Sequence, residues 1–164
     1  MDQRSRQEIA ESAAERLAGL SADEIADRRA LIGFDGFIDT IIRVVDRRHS
    51  MVEEDFDPIS TIAGFAERCA TAAGKSTNFE MHAVDRRFGG NGPLLAHAMA
   101  SIGTGVTYVG SIGQPDAPDR VDPLYDPLVR RCERVVSVSP AAATDALEFD
   151  DGKLMFNKPA NVQA

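Results

Sequence analysis

The sequence predicts an α/β fold, with a mainly parallel sheet flanked by helices and a small antiparallel lid. Three observations carry this reading. Compact apolar runs at Ala30 to Phe34 and Gly105 to Val109 have the character of strands buried in a parallel sheet. Helical stripes alternate with them: Ile59, Ile62, Ala66, Cys69 and Ala73 fall at steps of three and four. Near the end, Asp150-Asp151-Gly152 separates two short apolar segments and gives a strong hairpin signal, the source of the antiparallel lid.

Taken in order, Ser5-Arg6-Gln7-Glu8 has capping-box form, and Ile9, Ala13 and Leu17 then share one stripe that ends near Gly19. Ser21-Ala22-Asp23-Glu24 repeats the box and opens a short second helix. Residues 1–29 read as an N-terminal helical extension that packs on the domain, the favoured reading, or on a partner, and residues 30–164 as the domain itself. Ala30 to Phe34 is expected as a buried strand and Ile38 to Val45 as a partly exposed one. Asp57-Pro58 offers an N-cap and a proline for the first helical position, starting a helix that runs to Gly74. Phe79 to Val84 alternates as a half-exposed strand, Leu94 to Ile102 is a helix stopped by Gly103, and Gln114 to Pro123 is a loop. Leu124 to Cys132 is expected as helix and Arg134 to Val138 as strand. Ala146–Phe149 and Lys153–Asn157 form the hairpin.

Composition excludes several functions. A chain of 164 residues can bury one real core. Its net charge of −8 argues against a nucleic-acid partner, whose phosphates call for a basic face. Arg28-Arg29, Arg47-Arg48, Arg86-Arg87 and Arg130-Arg131 are scattered among acids and read as solvated surface. Cys69 and Cys132, far apart in apolar helical contexts, read as buried reduced thiols of a cytoplasmic protein. His49, His82 and His97 show no metal-ligand spacing, and His97 reads as a buried, satisfied histidine. No apolar run has membrane-spanning length, so no membrane partner is expected.

The segment that carries chemistry is Phe88-Gly89-Gly90-Asn91-Gly92-Pro93, running into Leu94-Leu95-Ala96-His97-Ala98-Met99-Ala100. Adjacent glycines let the backbone turn and approach a ligand closely. Pro93 suits a first helical position, so the helix opens beside a bare loop with N–H groups free for a polar or anionic ligand. Upstream, Leu31-Ile32-Gly33-Phe34-Asp35-Gly36-Phe37-Ile38-Asp39 ends an apolar strand at Asp-Gly and places a further acid on the next apolar run.

These elements, together with Val106-Thr107-Tyr108-Val109-Gly110-Ser111-Ile112-Gly113, resemble in order and spacing the N-terminal half of the ribokinase/PfkB family of sugar kinases, over roughly residues 30 to 158. The resemblance implies a ribokinase-like fold and a sugar or nucleoside as small-molecule ligand. It implies an ATP-dependent carbohydrate kinase whose complete form uses ATP and Mg²⁺, an aspartate that deprotonates the acceptor hydroxyl, and a helix N-terminus beside the transferred phosphoryl. Asp39 takes the position of the family acid that accepts hydrogen bonds from sugar hydroxyls, a role suited to an ionised carboxylate. Asp35 ranks after it, either as a ligand or as a turn residue bonding its own backbone. Gly89, Gly90 and Asn91 match the family's glycine loop, whose N–H groups and the Asn91 amide grip substrate oxygens. Leu94 stands where many relatives carry a sugar-binding Asn, which points to a different or partly apolar substrate, or equally to a chain that has lost sugar binding.

The family's Gly-Ala-Gly-Asp motif has no counterpart, since no Gly-x-Gly-Asp occurs here, and no Walker-type loop does either. The expectation is a truncated, substrate-binding half with no catalytic residue or metal ligand of its own, inactive alone. The alternative is a non-catalytic sugar-binding or assembly module. A truncated parallel sheet also exposes a strand edge, so homo-oligomers through that edge or through the lid are expected.

Overall fold

The computed structural model describes residues 5–158, so residues 1–4 and 159–164 of the two expected units lie outside the described residues. In chain order the elements are α1 (Arg6–Ala18), α2 (Ala22–Ala26), β1 (Arg29–Ile32), β2 (Phe37–Arg48), β3 (Phe56–Pro58), α3 (Ile62–Ala70), β4 (Met81–Gly89) and α4 (Asn91–Ser101). They continue with β5 (Gly105–Gly110), β6 (Gly113–Gln114), β7 (Ala117–Val121), a single 3₁₀ turn at Pro123–Tyr125, α5 (Asp126–Val129), β8 (Arg134–Ser137), β9 (Ala142–Phe149) and β10 (Gly152–Lys158). The chain is α/β, with mixed sheets.

Both N-terminal capping boxes form. Ser5 accepts from the Glu8 N–H while its own N–H donates to the Glu8 carboxylate, and Ser21 and Glu24 repeat the exchange. Donation from those backbone N–H groups holds both glutamates below the usual carboxylate range. Neither helix buries a residue, however, and Leu17 remains 66% exposed, so the expected packing of the stripe on the domain does not occur. One apolar residue per turn is too narrow a stripe to seal against a neighbour.

The parallel sheet has the order β1-β5-β8. On one face Val106, Tyr108, Ala96, Tyr125 and Leu128 are fully buried and form the first core. The other face is less covered: Thr107, Val109 and Val136 are half-buried and Leu31 is 73% exposed, so β1 is half-covered rather than the buried strand expected, and it stops at Ile32. The larger sheet runs β10-β9-β2-β3, with β4 also on β2; β2 and β9 are parallel and the remaining pairs antiparallel. The antiparallel part is thus the larger one, not a small lid on a mainly parallel sheet. The reason lies in β2, which extends over 12 residues and takes partners on both edges. It is central and, as its sequence suggested, partly exposed: Asp39, Thr40 and Arg43 are half-buried among the buried Ile38, Ile41, Ile42, Val44 and Val45. A second core of Ile42, Val44, Ile59, Leu147 and Phe149 packs against Phe65 and Ile62 of α3.

Several boundaries move for identifiable reasons. Pro58 closes β3 instead of opening α3, because Val45 pairs with it and the Ile59 N–H donates to the Val44 carbonyl at 2.8 Å. The helix waits for Thr61, whose hydroxyl accepts from the Gly64 N–H, and it ends at Ala70 before Gly74. α4 begins at Asn91, which makes Pro93 its third residue rather than its first. The expected loop at 114–123 contains the β6–β7 hairpin, and the helix expected from Leu124 shortens to the 3₁₀ turn plus α5. Cys69 is exposed and Cys132 half-buried, both free, so the expectation of two buried thiols holds for neither in full.

The two sheets meet at residues 34–37, where four consecutive carbonyls are held. Phe34 accepts from the Ser111 N–H (3.0 Å), Asp35 from the Tyr108 hydroxyl, Gly36 from the Ala142 N–H (2.9 Å) and Phe37 from the Tyr125 hydroxyl (2.8 Å). Burial, with nearby carboxylates, pushes both phenols well above their ordinary range, so they stay neutral donors. Tyr125→Phe leaves the Phe37 carbonyl without this buried partner. Urea unfolding should show a loss of about 1–3 kcal/mol at unchanged m-value; an unchanged midpoint would mean that the phenol does not hold the junction.

Candidate functional site

Asp35 follows β1 at the carboxyl end of the parallel sheet, the end at which open α/β sheets bind ligands. Its carboxylate reaches α4. Oδ2 accepts from the Asn91 N–H and Oδ1 from the Gly92 N–H, both at 2.7 Å. Asp35 is therefore neither a local turn residue nor idle: it satisfies two of the donors that a helix start leaves without a backbone partner. The expectation of N–H groups free for substrate is corrected for Asn91 and Gly92, which donate to Asp35. Gly90, the residue before the helix, has φ of +94°, a conformation that favours glycine, and a Cβ there would meet Asp35 Oδ2 at 2.9 Å.

Asp39 lies on β2, two residues after its start. Its register partners are Arg87 on β4 and Thr144 on β9, and Thr144 pairs in turn with Asn157 on β10. Paired residues point to the same side of a sheet, so Arg87, Asp39, Thr144 and Asn157 form one polar row across four strands. The Thr144 hydroxyl donates to Asn157 Oδ1 at 3.1 Å, and Thr144 is only 1% exposed. Asp39 also packs on the glycine loop: a Cβ on Gly89 would lie 2.3 Å from Asp39 Oδ2. The structure thus brings all five candidate residues together, Asp35 with Gly90 and Asn91, and Asp39 with Gly89.

The row itself was only partly legible. Thr144 and Asn157 align with Asp39 only through the β9 register, and Arg87, expected as surface charge, is exposed at the end of the row. Its spacing two residues before Gly89 on an alternating strand is the signal that could have placed it. Leu94 is 51% exposed on the first turn of α4. His97 is half-buried with its ring edge-on to Phe88, centroids 5.8 Å apart, less enclosed than expected. Among the described residues no group of three or more His, Cys, Asp or Glu side chains could hold a metal ion. With Asp35 on the start of α4, these residues do not fit a triphosphate and its Mg²⁺, and no phosphoryl-transfer step is assigned to them.

Residues 2–164 match the family model of prokaryotic ketohexokinase. A ketohexokinase of Haloferax volcanii is 33% identical over 134 residues, covering 79% of this chain and 33% of that protein. The chain thus spans about a third of the length of the curated relative it matches.

The contact between Gly89 and Asp39 is testable by a double-mutant cycle. Gly89→Ala should destabilise by about 1–3 kcal/mol through overpacking, and in an Asp39→Ala background the same change should cost at least about 1 kcal/mol less. Additive losses in chemical denaturation would show that the loop and the carboxylate are not in contact.

Proposed function

The chain belongs to the prokaryotic ketohexokinase family, a PfkB-type carbohydrate kinase relationship, and from that premise we propose that it supplies the sugar-binding part of a ketohexose kinase. The observation that carries this reading is the polar row centred on Asp39 beside the glycine loop. A carboxylate that accepts from two vicinal hydroxyls, flanked by an arginine and by an amide that the buried Thr144 hydroxyl holds in place, offers both acceptors and donors to a polyol. The glycine loop lets the sugar approach the backbone, and the exposed Leu94 offers an apolar contact to a carbon face of the ring.

In this reading the fold is ribokinase-like, residues 30–164 form the substrate-binding unit and residues 1–29 its helical extension. The mixed sheet acts as the lid over the sugar. Asp39, Gly89, Gly90 and Asn91 line the acceptor site, and Asp35 supports it. ATP and Mg²⁺ serve the complete enzyme, in which the γ-phosphoryl passes to a sugar hydroxyl; the described residues of this chain supply the acceptor side. No helix among the described residues is long and apolar enough to cross a membrane.

Thermal-shift titration with fructose tests the reading, because a ligand bound only by the native state raises its apparent stability. The chain should show a saturable rise, and Asp39→Asn should weaken the affinity about 10- to 100-fold, as loss of a charged hydrogen-bonding partner predicts. No saturable response to any ketohexose would overturn the proposal. A full response in Asp39→Asn would remove Asp39 from it.

A further inference from the structure

The start of α4, an 11-residue helix, carries partial positive charge from its N–H groups and attracts anions. In this chain an anion already sits there. Both carboxylate oxygens of Asp35 are engaged, one on each of the Asn91 and Gly92 N–H groups. The backbone beneath the carboxylate is fixed as well, since the Phe34, Asp35 and Gly36 carbonyls each accept a hydrogen bond from another element. Swinging the carboxylate aside would strand two N–H groups and strain a segment held at three points. Among the described ion pairs none involves Asp35, and its carboxylate is held by the two N–H groups at the helix start. Asp39 adds a second carboxylate to the same loop, through Gly89.

We propose that Asp35 is a built-in anion that makes the glycine-loop site selective for uncharged sugars. It permanently fills the place where a substrate carboxylate or phosphate would otherwise dock, and its charge, with that of Asp39, repels such groups. Asp35 is then a positioning and specificity-determining residue rather than a sugar ligand. It shapes the loop through α4 and sets the charge of what can enter. The selectivity rests on the reading of this site as a sugar site, whereas the occupied anion position does not.

Anion rescue separates the two. Asp35→Ala removes the carboxylate and leaves space for a small anion. Its melting temperature, lowered relative to the parent, should recover by several degrees in formate or inorganic phosphate against chloride at matched ionic strength. Asp35→Asn keeps the space filled and should not recover, and the parent chain should not respond. A merely structural loss would not produce this anion-specific recovery. Should Asp35→Ala fail to fold even in formate, Asp35→Ser, which retains one acceptor for the helix start, decides instead. Recovery in either small variant supports the proposal; recovery in neither overturns it. The second arm compares fructose with a keto-sugar acid of the same carbon number. The parent should bind the acid at least tenfold more weakly, and Asp35→Ala or Asp35→Ser should narrow that gap; equal binding to the parent overturns the selectivity. If the parent binds neither sugar, the sugar-site reading fails while the anion arm still reports on Asp35.

Discussion

Two hydrogen bonds from the start of α4 to Asp35 organise this chain. They join residues 56 and 57 positions apart, linking the segment that follows β1 to the start of α4. Each is charge-assisted and directed along the axis of the helix, so together they outweigh an ordinary cap of about 1 kcal/mol. Their geometric effect is larger than their energy. Once α4 begins at Asn91, Gly90 must adopt its left-handed turn, Gly89 ends β4 against Phe37, and Asp39 comes to rest on the glycine loop. The candidate site is the consequence of that sequence of constraints.

A second constraint keeps the two sheets in register with each other. The segment 34–37 has its four carbonyls held from β5, the 3₁₀ turn, the residue after β5 and the start of β9. Any rotation of the mixed sheet against the parallel one must break some of these bonds, two of them to neutral, buried phenols. The junction therefore belongs to the stable part of the molecule. By contrast, Leu31 on the second face of the parallel sheet is 73% accessible, and Val138, just past the end of β8, is 59% accessible.

How much of this the sequence disclosed depends on the range of the interaction. Local chemistry was legible: the Ser5 and Ser21 capping boxes, the apolar run at β5 and the hairpin at Asp150-Asp151-Gly152 all form as read. Competition between local signals was not. Pro58 could open a helix or end a strand, and a ladder bond to Val44 decided it. The partly exposed character of β2 was legible from Asp39, Thr40 and Arg43, which are half-buried, whereas its central place, with partners on both edges, was not. Asp35 illustrates the same limit within the site. Its Asp-Gly setting pointed to a local turn, and only a contact across 56 residues shows it as the anchor of α4. Asp39 was found through a family resemblance, whereas its row with Arg87, Thr144 and Asn157 needed the strand register.

The claim on which the others turn is that the glycine loop and the row centred on Asp39 form one sugar site. Amide chemical-shift mapping of the isotope-labelled chain during a ketohexose titration tests it most directly. Saturable shifts concentrated at Asp39, Thr40, Gly89 to Gly92 and Thr144, with α1 and α3 unmoved, are the predicted result. Shifts confined to α1 and α3, or absent at saturating sugar, would contradict it.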